Sequence, residues 1–173
     1  GGDYIGGLCG WNNGGTIEEC YSTASVAGDE SVGGLCGYNG SGVLRNCYAA
    51  GLVTGTDHSG GLCGWNSSGT VNDCFWDIET SGMVASEGGT GKTTTQMRTR
   101  STFVDAGWDL VGETANGLDD TWRLVGGYPI LGYQSFEPGQ PVELTSLRLD
   151  GDNVTGKALN ELVFTCRGNP YEY

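Results

Sequence analysis

Cysteines are the residues best placed to do chemistry in this 173-residue chain, which has seven of them. Six fall into two sets, Cys9/Cys36/Cys63 and Cys20/Cys47/Cys74, and members of each set are 27 residues apart. Cys166 stands alone. Paired cysteines in a small Gly-rich chain indicate disulfides and an oxidising compartment. Zinc is the rival chemistry, but Cys-x10-Cys is not a zinc-ribbon spacing and His58 is the only histidine. Pairing along a set would leave one thiol of three over. It would also join rungs about 4.8 Å apart whose side chains point the same way, whereas disulfides prefer Cβ atoms about 3.8 Å apart. Pairing within a unit uses all six: Cys9–Cys20, Cys36–Cys47 and Cys63–Cys74. Each bond would close a loop of about 12 residues and contribute roughly 3 kcal/mol. That set is the expectation, and Cys166 is then left for another chain or a missing segment.

Other constellations carry less. Gly88-Gly89-Thr90-Gly91-Lys92-Thr93 has the look of a phosphate loop. Ser86 stands where that pattern needs Gly, and the required α/β context is missing. Asp57-His58-Ser59 contains the residue types of a catalytic triad, but chain neighbours cannot converge in triad geometry. There is no HExxH metalloprotease motif. Glu18/Glu19 and Asp119/Asp120 read as solvated carboxylates. Asp150/Asp152/Asn153 lack the acidic closing ligand of a calcium loop. The expectation is a chain without catalytic, cofactor or metal residues. Three glycosylation sequons start at Asn39, Asn66 and Asn153, and the last, on an expected turn, is the best candidate.

Net charge is −13, and Arg45 is the only basic residue before Lys92, facing ten acidic ones up to Glu87. Such a field repels phosphate backbones and anionic membranes. No apolar run is long enough to span a bilayer. The start, Gly1-Gly2-Asp3-Tyr4-Ile5, reads as the tail of an earlier unit in a processed chain or fragment.

The spacing of the cysteines belongs to a wider repeat. Residues 7–33, 34–60 and 61–87 align without gaps and open GLCGWNNGGTIEECY, GLCGYNGSGVLRNCY and GLCGWNSSGTVNDCF. Leu8/Leu35/Leu62, Trp11/Tyr38/Trp65, Asn12/Asn39/Asn66 and Tyr21/Tyr48/Phe75 all match at the same period. Each unit offers three short β-like stretches, as in Leu8–Trp11, Thr16–Tyr21 and Ser25–Val26. Asn and Gly between them suit turns of positive φ. One such unit cannot bury its apolar face alone, but stacked units can. The fold class is therefore all-β: a parallel, β-helix-like solenoid of 27-residue coils. Like residues would form ladders along it, a favourable cross-strand geometry.

The stretch GGLCGWN…GTIEECYSTASV resembles the GLUG motif repeat, which has a GGL-x-G-x-N start and a later N-C-Y element. CFWDIETSG…GGTGKTTTQM…TFVDAGWDL…YPILGYQ resembles the segment that commonly closes a run of such repeats. Together they cover about residues 6–134. One departure is the residue after GGL, more often aliphatic in the family and Cys in all three units here. The resemblance implies a secreted or surface protein, since GLUG repeats ride in adhesins and in some immunoglobulin-cleaving peptidases.

Residues 88–134 read as a mixed capping module. Trp76, Phe103, Trp108, Trp122, Tyr128 and Ile130 are expected to cover the solenoid's open end. Thr93–Ala106 is the best helix, capped by Thr94 or Thr95, with Met97, Phe103 and Val104 facing the core. Residues 135–141 form a linker, and 142–173 a short β arm or partial Ig-like module. The expected function is a non-enzymatic extracellular structural or adhesive protein, with head-to-tail self-association into a surface fibre. The alternatives are a glycan or surface-ligand binding module and an accessory domain of a secreted hydrolase.

Overall fold

The structure, a computed structural model, describes residues 4–132 and, beyond them, the backbone of Arg148–Leu149 and Asp152–Asn153. The chain divides into two compact units, Gly1–Phe136 and Glu137–Tyr173. The division falls inside the expected linker.

The first unit is a parallel β-solenoid. Its first coil contains β1 (Ile5–Gly6), β2 (Cys9–Asn12), β3 (Thr16–Glu18), β4 (Tyr21–Ser22) and β5 (Val26–Ala27). The second repeats them as β6 (Glu30–Gly33), β7 (Cys36–Asn39), β8 (Val43–Arg45), β9 (Tyr48–Ala49) and β10 (Val53–Thr54). The third supplies β11 (Asp57–Gly60), β12 (Cys63–Asn66), β13 (Thr70–Asn72) and β14 (Phe75–Asp77). Strands stack in the orders β1-β6-β11, β2-β7-β12, β3-β8-β13 and β5-β10. Partners lie one period apart, as in Cys9↔Cys36↔Cys63 and Ile17↔Leu44↔Val71. Inside the coils Leu35, Leu44, Leu62, Cys36, Cys47, Cys63 and Cys74 form one buried cluster.

The turn chemistry differs from the expectation. Each full coil has five strands rather than three, because the chain bends sharply inside the stretch read as one strand and because β1 and β6 form where no strand was expected. The bends use non-glycine residues of positive φ: Glu19, Asn46 and Asp73, with φ of 51°, 50° and 49°. Ser31 and His58, at 49° and 43°, mark a second corner in register. Asn and Asp tolerate this region at modest cost. Many repeat glycines serve a different need, the close approach of neighbouring coils. A Cβ on Gly34 would lie 2.2 Å from the carbonyl oxygen of Gly61.

The two ends of the stack are unlike. After α1 (Ile78–Ser81), which Asp77 caps, the chain returns beneath the third coil. There Ser86 Oγ accepts from the backbone N–H groups of Leu62 and Cys63, and Glu87 N–H donates to the Cys63 carbonyl. β15 (Thr90–Lys92) then pairs with β14 as a shortened fourth rung. Leu8 is 49 % exposed, whereas its ladder mates Leu35 and Leu62 are fully buried.

The aromatic module occupies a different place from the one expected. It lies against the flank of the sheet β4-β9-β14-β15, not across an end. The expected long helix is two short ones, α2 (Thr94–Met97) and α3 (Arg100–Val104). Thr93 forms the capping box of α2 with Gln96. Met97 and Phe103 are buried as expected, beside Trp108, Leu110 and Trp122, and Tyr48 and Phe75 share their cluster. Of the expected end-cap residues only Trp76 sits at the end, packed into the coil interior, with its Nε1–H on the Met83 carbonyl. The module closes with the antiparallel pair β16 (Trp122–Arg123) and β17 (Ile130–Leu131).

In the second unit the described backbone is one antiparallel pair, β18 (Arg148–Leu149) and β19 (Asp152–Asn153), so Asn153, expected on a turn, lies in a strand. The expected strand at 159–166 lies outside the described residues.

Candidate functional site

The solenoid aims both cysteine sets inward. Cys36, Cys47 and Cys63 are fully buried and Cys74 nearly so. Cys9 and Cys20, on the first coil, are half-buried. All six are free thiols in this structure, which shows none of the expected bonds Cys9–Cys20, Cys36–Cys47 and Cys63–Cys74. The electrostatic partners run along the ladder instead: Cys36 interacts with Cys9 and Cys63, and Cys47 with Cys74. Each set also leans onto its own strand in the opposite sense. Cys36 and Cys63 donate to the carbonyls of Tyr38 and Trp65, two residues ahead. Cys20, Cys47 and Cys74 donate to Glu18, Arg45 and Asn72, two residues behind. Cys166 lies outside the described residues.

Hydrogen bonding to Cys74, then burial, pushes the Cys47 thiol far above its ordinary range, and Cys36 and burial do the same to Cys63. Burial, then the neighbouring ladder thiol, raises Cys9 and Cys20. A thiol protonated in the fold and ionised when unfolded stabilises the fold below its unfolded pKa and loses that contribution as pH rises. Stability linked to Cys9, Cys20 and Cys47 is therefore expected to hold up to the ordinary value of 9.0 and to fall above it, which urea melts across pH 7–10 would show. In a Cys166→Ser variant, a thiol reagent should modify Cys9 and Cys20 first and the other four only on unfolding. Peptide mapping under non-reducing conditions that found Cys36 joined to Cys47 would restore the cross-coil bonds.

Next to the cysteines runs an asparagine ladder. Asn12 Nδ2 donates to Asn39 Oδ1 at 3.1 Å, and Asn39 Nδ2 donates to Asn66 Oδ1 at 3.0 Å. Each amide also donates to a turn carbonyl, of Gly15, Gly42 or Gly69. This uses the donors on which a glycan would be built. Asn39 is fully buried, so the expectation of modification there is corrected: the sequon faces the core. The Asn66 nitrogen is engaged in the same way while that residue is half-buried. The side chain of Asn153 lies outside the described residues.

On the outer face of β2-β7-β12 the aromatic ladder stands in the open. Ring centroids are 6.1 Å apart from Trp11 to Tyr38 and 5.4 Å from Tyr38 to Trp65, with Tyr38 edge-on to both. Two further rings join it. Tyr4 lies 4.8 Å from Tyr38, and His58 stacks on Trp65 at 4.5 Å. Sequence reading missed both, although Tyr4, Ser31 and His58 share one column at the same period.

The remaining motifs do not assemble. Thr90–Lys92 is a strand and Lys92 Nζ lies over the Phe75 ring, so the phosphate-loop pattern has no loop. His58 Nδ1 is 3.1 Å from the Asp57 carboxylate on an exposed strand, and Ser59 bonds only backbone. Glu18 pairs with Arg45, and Glu19 accepts from Asn46 and Trp122. Asp120 accepts from the backbone N–H of Gly112, and Asp119 donates its own to Asp109. Asp77, fully buried, is the carboxylate with the most partners. Burial raises its pKa, but hydrogen bonds from Tyr128, Thr94 and the backbone of Thr80 and Glu79 outweigh that and hold it below the usual range. Among the described residues no cluster of His, Cys, Asp or Glu is arranged to hold a metal ion. No described helix is long and apolar enough to cross a membrane.

The GLUG motif matches residues 1–27 and 28–54. Each match is one period long, and the boundaries fall six residues ahead of the units counted from Gly7. No curated protein and no solved structure matches the chain. The third coil lies beyond the matched residues, yet it pairs with the second in the register by which the second pairs with the first. The chain thus carries two tandem GLUG motifs over residues 1–54, continued by a third coil of the same period.

Proposed function

We propose that the chain is a non-enzymatic structural or adhesive element of the cell exterior. The observation that carries this reading is the use to which the repeated positions are put. Leu, Cys and Asn at the shared period each face their like one coil away, and hydrogen bonds or core packing employ them there. A stacked scaffold needs that arrangement. The GLUG repeats support an exterior location.

A head-to-tail fibre would need complementary open ends, and residues 83–92 cover the third coil, so that face would not take part. Protease shaving of intact cells, followed by immunoblotting, tests the location. Loss of the chain from shaved cells or its recovery in the medium is expected. Full protection inside intact cells would overturn the reading.

A further inference from the structure

We infer that the outer aromatic row of the solenoid is a binding site for an extended, neutral polysaccharide chain lying along the stacking axis. This deepens the adhesive reading and rests on it. Five rings, Tyr4, Trp11, Tyr38, His58 and Trp65, form one continuous surface across three coils. Trp11 is 56 % exposed. Tyr4 and His58 are exposed as well, and Tyr38 and Trp65 are half-buried, so each ring of the row keeps part of its surface open.

The indole nitrogens add a second, independent observation. Trp76, Trp108 and Trp122 donate their Nε1–H to Met83, Asp73 and Glu19. Among the described residues no hydrogen bond engages the indole N–H of Trp11 or Trp65, and these two belong to the row. A ring face with a free N–H at its edge matches a pyranose, which offers axial C–H groups to the face and hydroxyls to the edge. Exposed Asn13, Ser41 and Ser67 follow the row on the adjoining turns and add small polar groups without charge. Apolar walls with a few hydrogen-bonding groups are the usual make-up of a small-ligand site.

Spacing and charge narrow the ligand. Trp11 and Trp65 are two rungs apart, roughly 9.6 Å for parallel strands, which is commensurate with alternate residues of an extended β-linked chain. The excess of acidic residues over the coils opposes an anionic polymer, whereas a neutral chain meets no such field. Each ring offers only a small contact, so several sugars must bind together for useful affinity, and a monosaccharide should bind weakly or not at all.

Titration of the whole chain with cellohexaose, chitohexaose and xylohexaose, followed by tryptophan fluorescence and calorimetry, tests the inference, with a hyaluronan hexasaccharide as the anionic arm. At least one neutral hexamer is expected to bind, with its monosaccharide at least tenfold weaker. Trp11→Ala and Trp65→Ala should each weaken binding tenfold or more while leaving the urea midpoint close to that of the parent chain. Trp65→Phe, which keeps a ring and loses the N–H, should fall between. Absence of binding by all three neutral hexamers, preference for hyaluronan, or undiminished binding by the folded tryptophan variants would each overturn the site. A chain found outside the cell that binds none of them sinks the glycan site alone, whereas a chain confined inside the cell sinks the adhesive reading beneath it.

Discussion

Gly34→Ala is expected to destabilise the solenoid by about 3 kcal/mol or more, toward the top of the range for overpacking. Gly34 lies in the column Gly7/Gly34/Gly61, where one coil's backbone rests on the next. An added Cβ would meet the Gly61 carbonyl oxygen at 2.2 Å and the Ala49 Cβ at 2.9 Å. The first of these is backbone, so no rotamer change relieves it. Either the coils separate, breaking the parallel pairing around Gly34 N–H to the Gly60 carbonyl, or the strand kinks. Gly14→Ala is the matched control. Gly14 has φ of 83° and nothing within 4 Å of its would-be Cβ, so only the left-handed backbone opposes alanine. That costs about 1–2 kcal/mol. Urea unfolding of both variants separates the two uses of glycine. Equal stabilities would mean that the coils are not stacked at this spacing.

The contrast between those glycines also shows what a reader of the sequence can and cannot see. Stacking puts like under like, so period, register and inward ladders are legible wherever Cys9, Cys36 and Cys63 recur together. Backbone conformation is not. The corners fall on Glu19, Asn46 and Asp73, three different side chains whose only common property is φ near 50°. Glycine in a Gly-rich repeat suggests a turn, yet at Gly34 its missing side chain matters more than its freedom of φ.

Pairing of the thiols was equally hard to read. Cys9 has a partner candidate 11 residues on at Cys20 and another one period on at Cys36. The spacing argument favours Cys20, whereas the side-chain interactions of Cys9 run to Cys36. The aromatic row was half legible. Trp11, Tyr38 and Trp65 sit inside the aligned opening of each coil, but Tyr4 and His58 precede it, where the units counted from Gly7 had placed a boundary.

The flank module carries the other large effect, and its position determines how the effect spreads. Trp122 is fully buried, with its ring 4.7 Å from Trp108 and 6.1 Å from both Tyr21 and Tyr48. Its Nε1–H donates to the Glu19 carboxylate on the first coil, 103 residues away in sequence. Trp108 donates to the Asp73 carbonyl on the third coil at 2.8 Å, and Tyr48 of the second donates to the Pro129 carbonyl at 2.7 Å. The module thus fastens all three coils from the side. Trp122→Ala removes the largest shared contact, and large-to-small changes of this kind cost about 3–5 kcal/mol. Trp122→Phe keeps most of the packing, loses the bond to Glu19 and should cost about 1–3 kcal/mol for the acceptor left without its donor. Hydrogen exchange separates a side clamp from an end cap. An end cap would protect the third coil most, so its loss should appear there first. A clamp through Glu19 and Tyr21 predicts that Trp122→Ala speeds exchange in the first coil at least as much as in the third. Exchange confined to the third coil would show that the module acts only on its nearest neighbour in sequence.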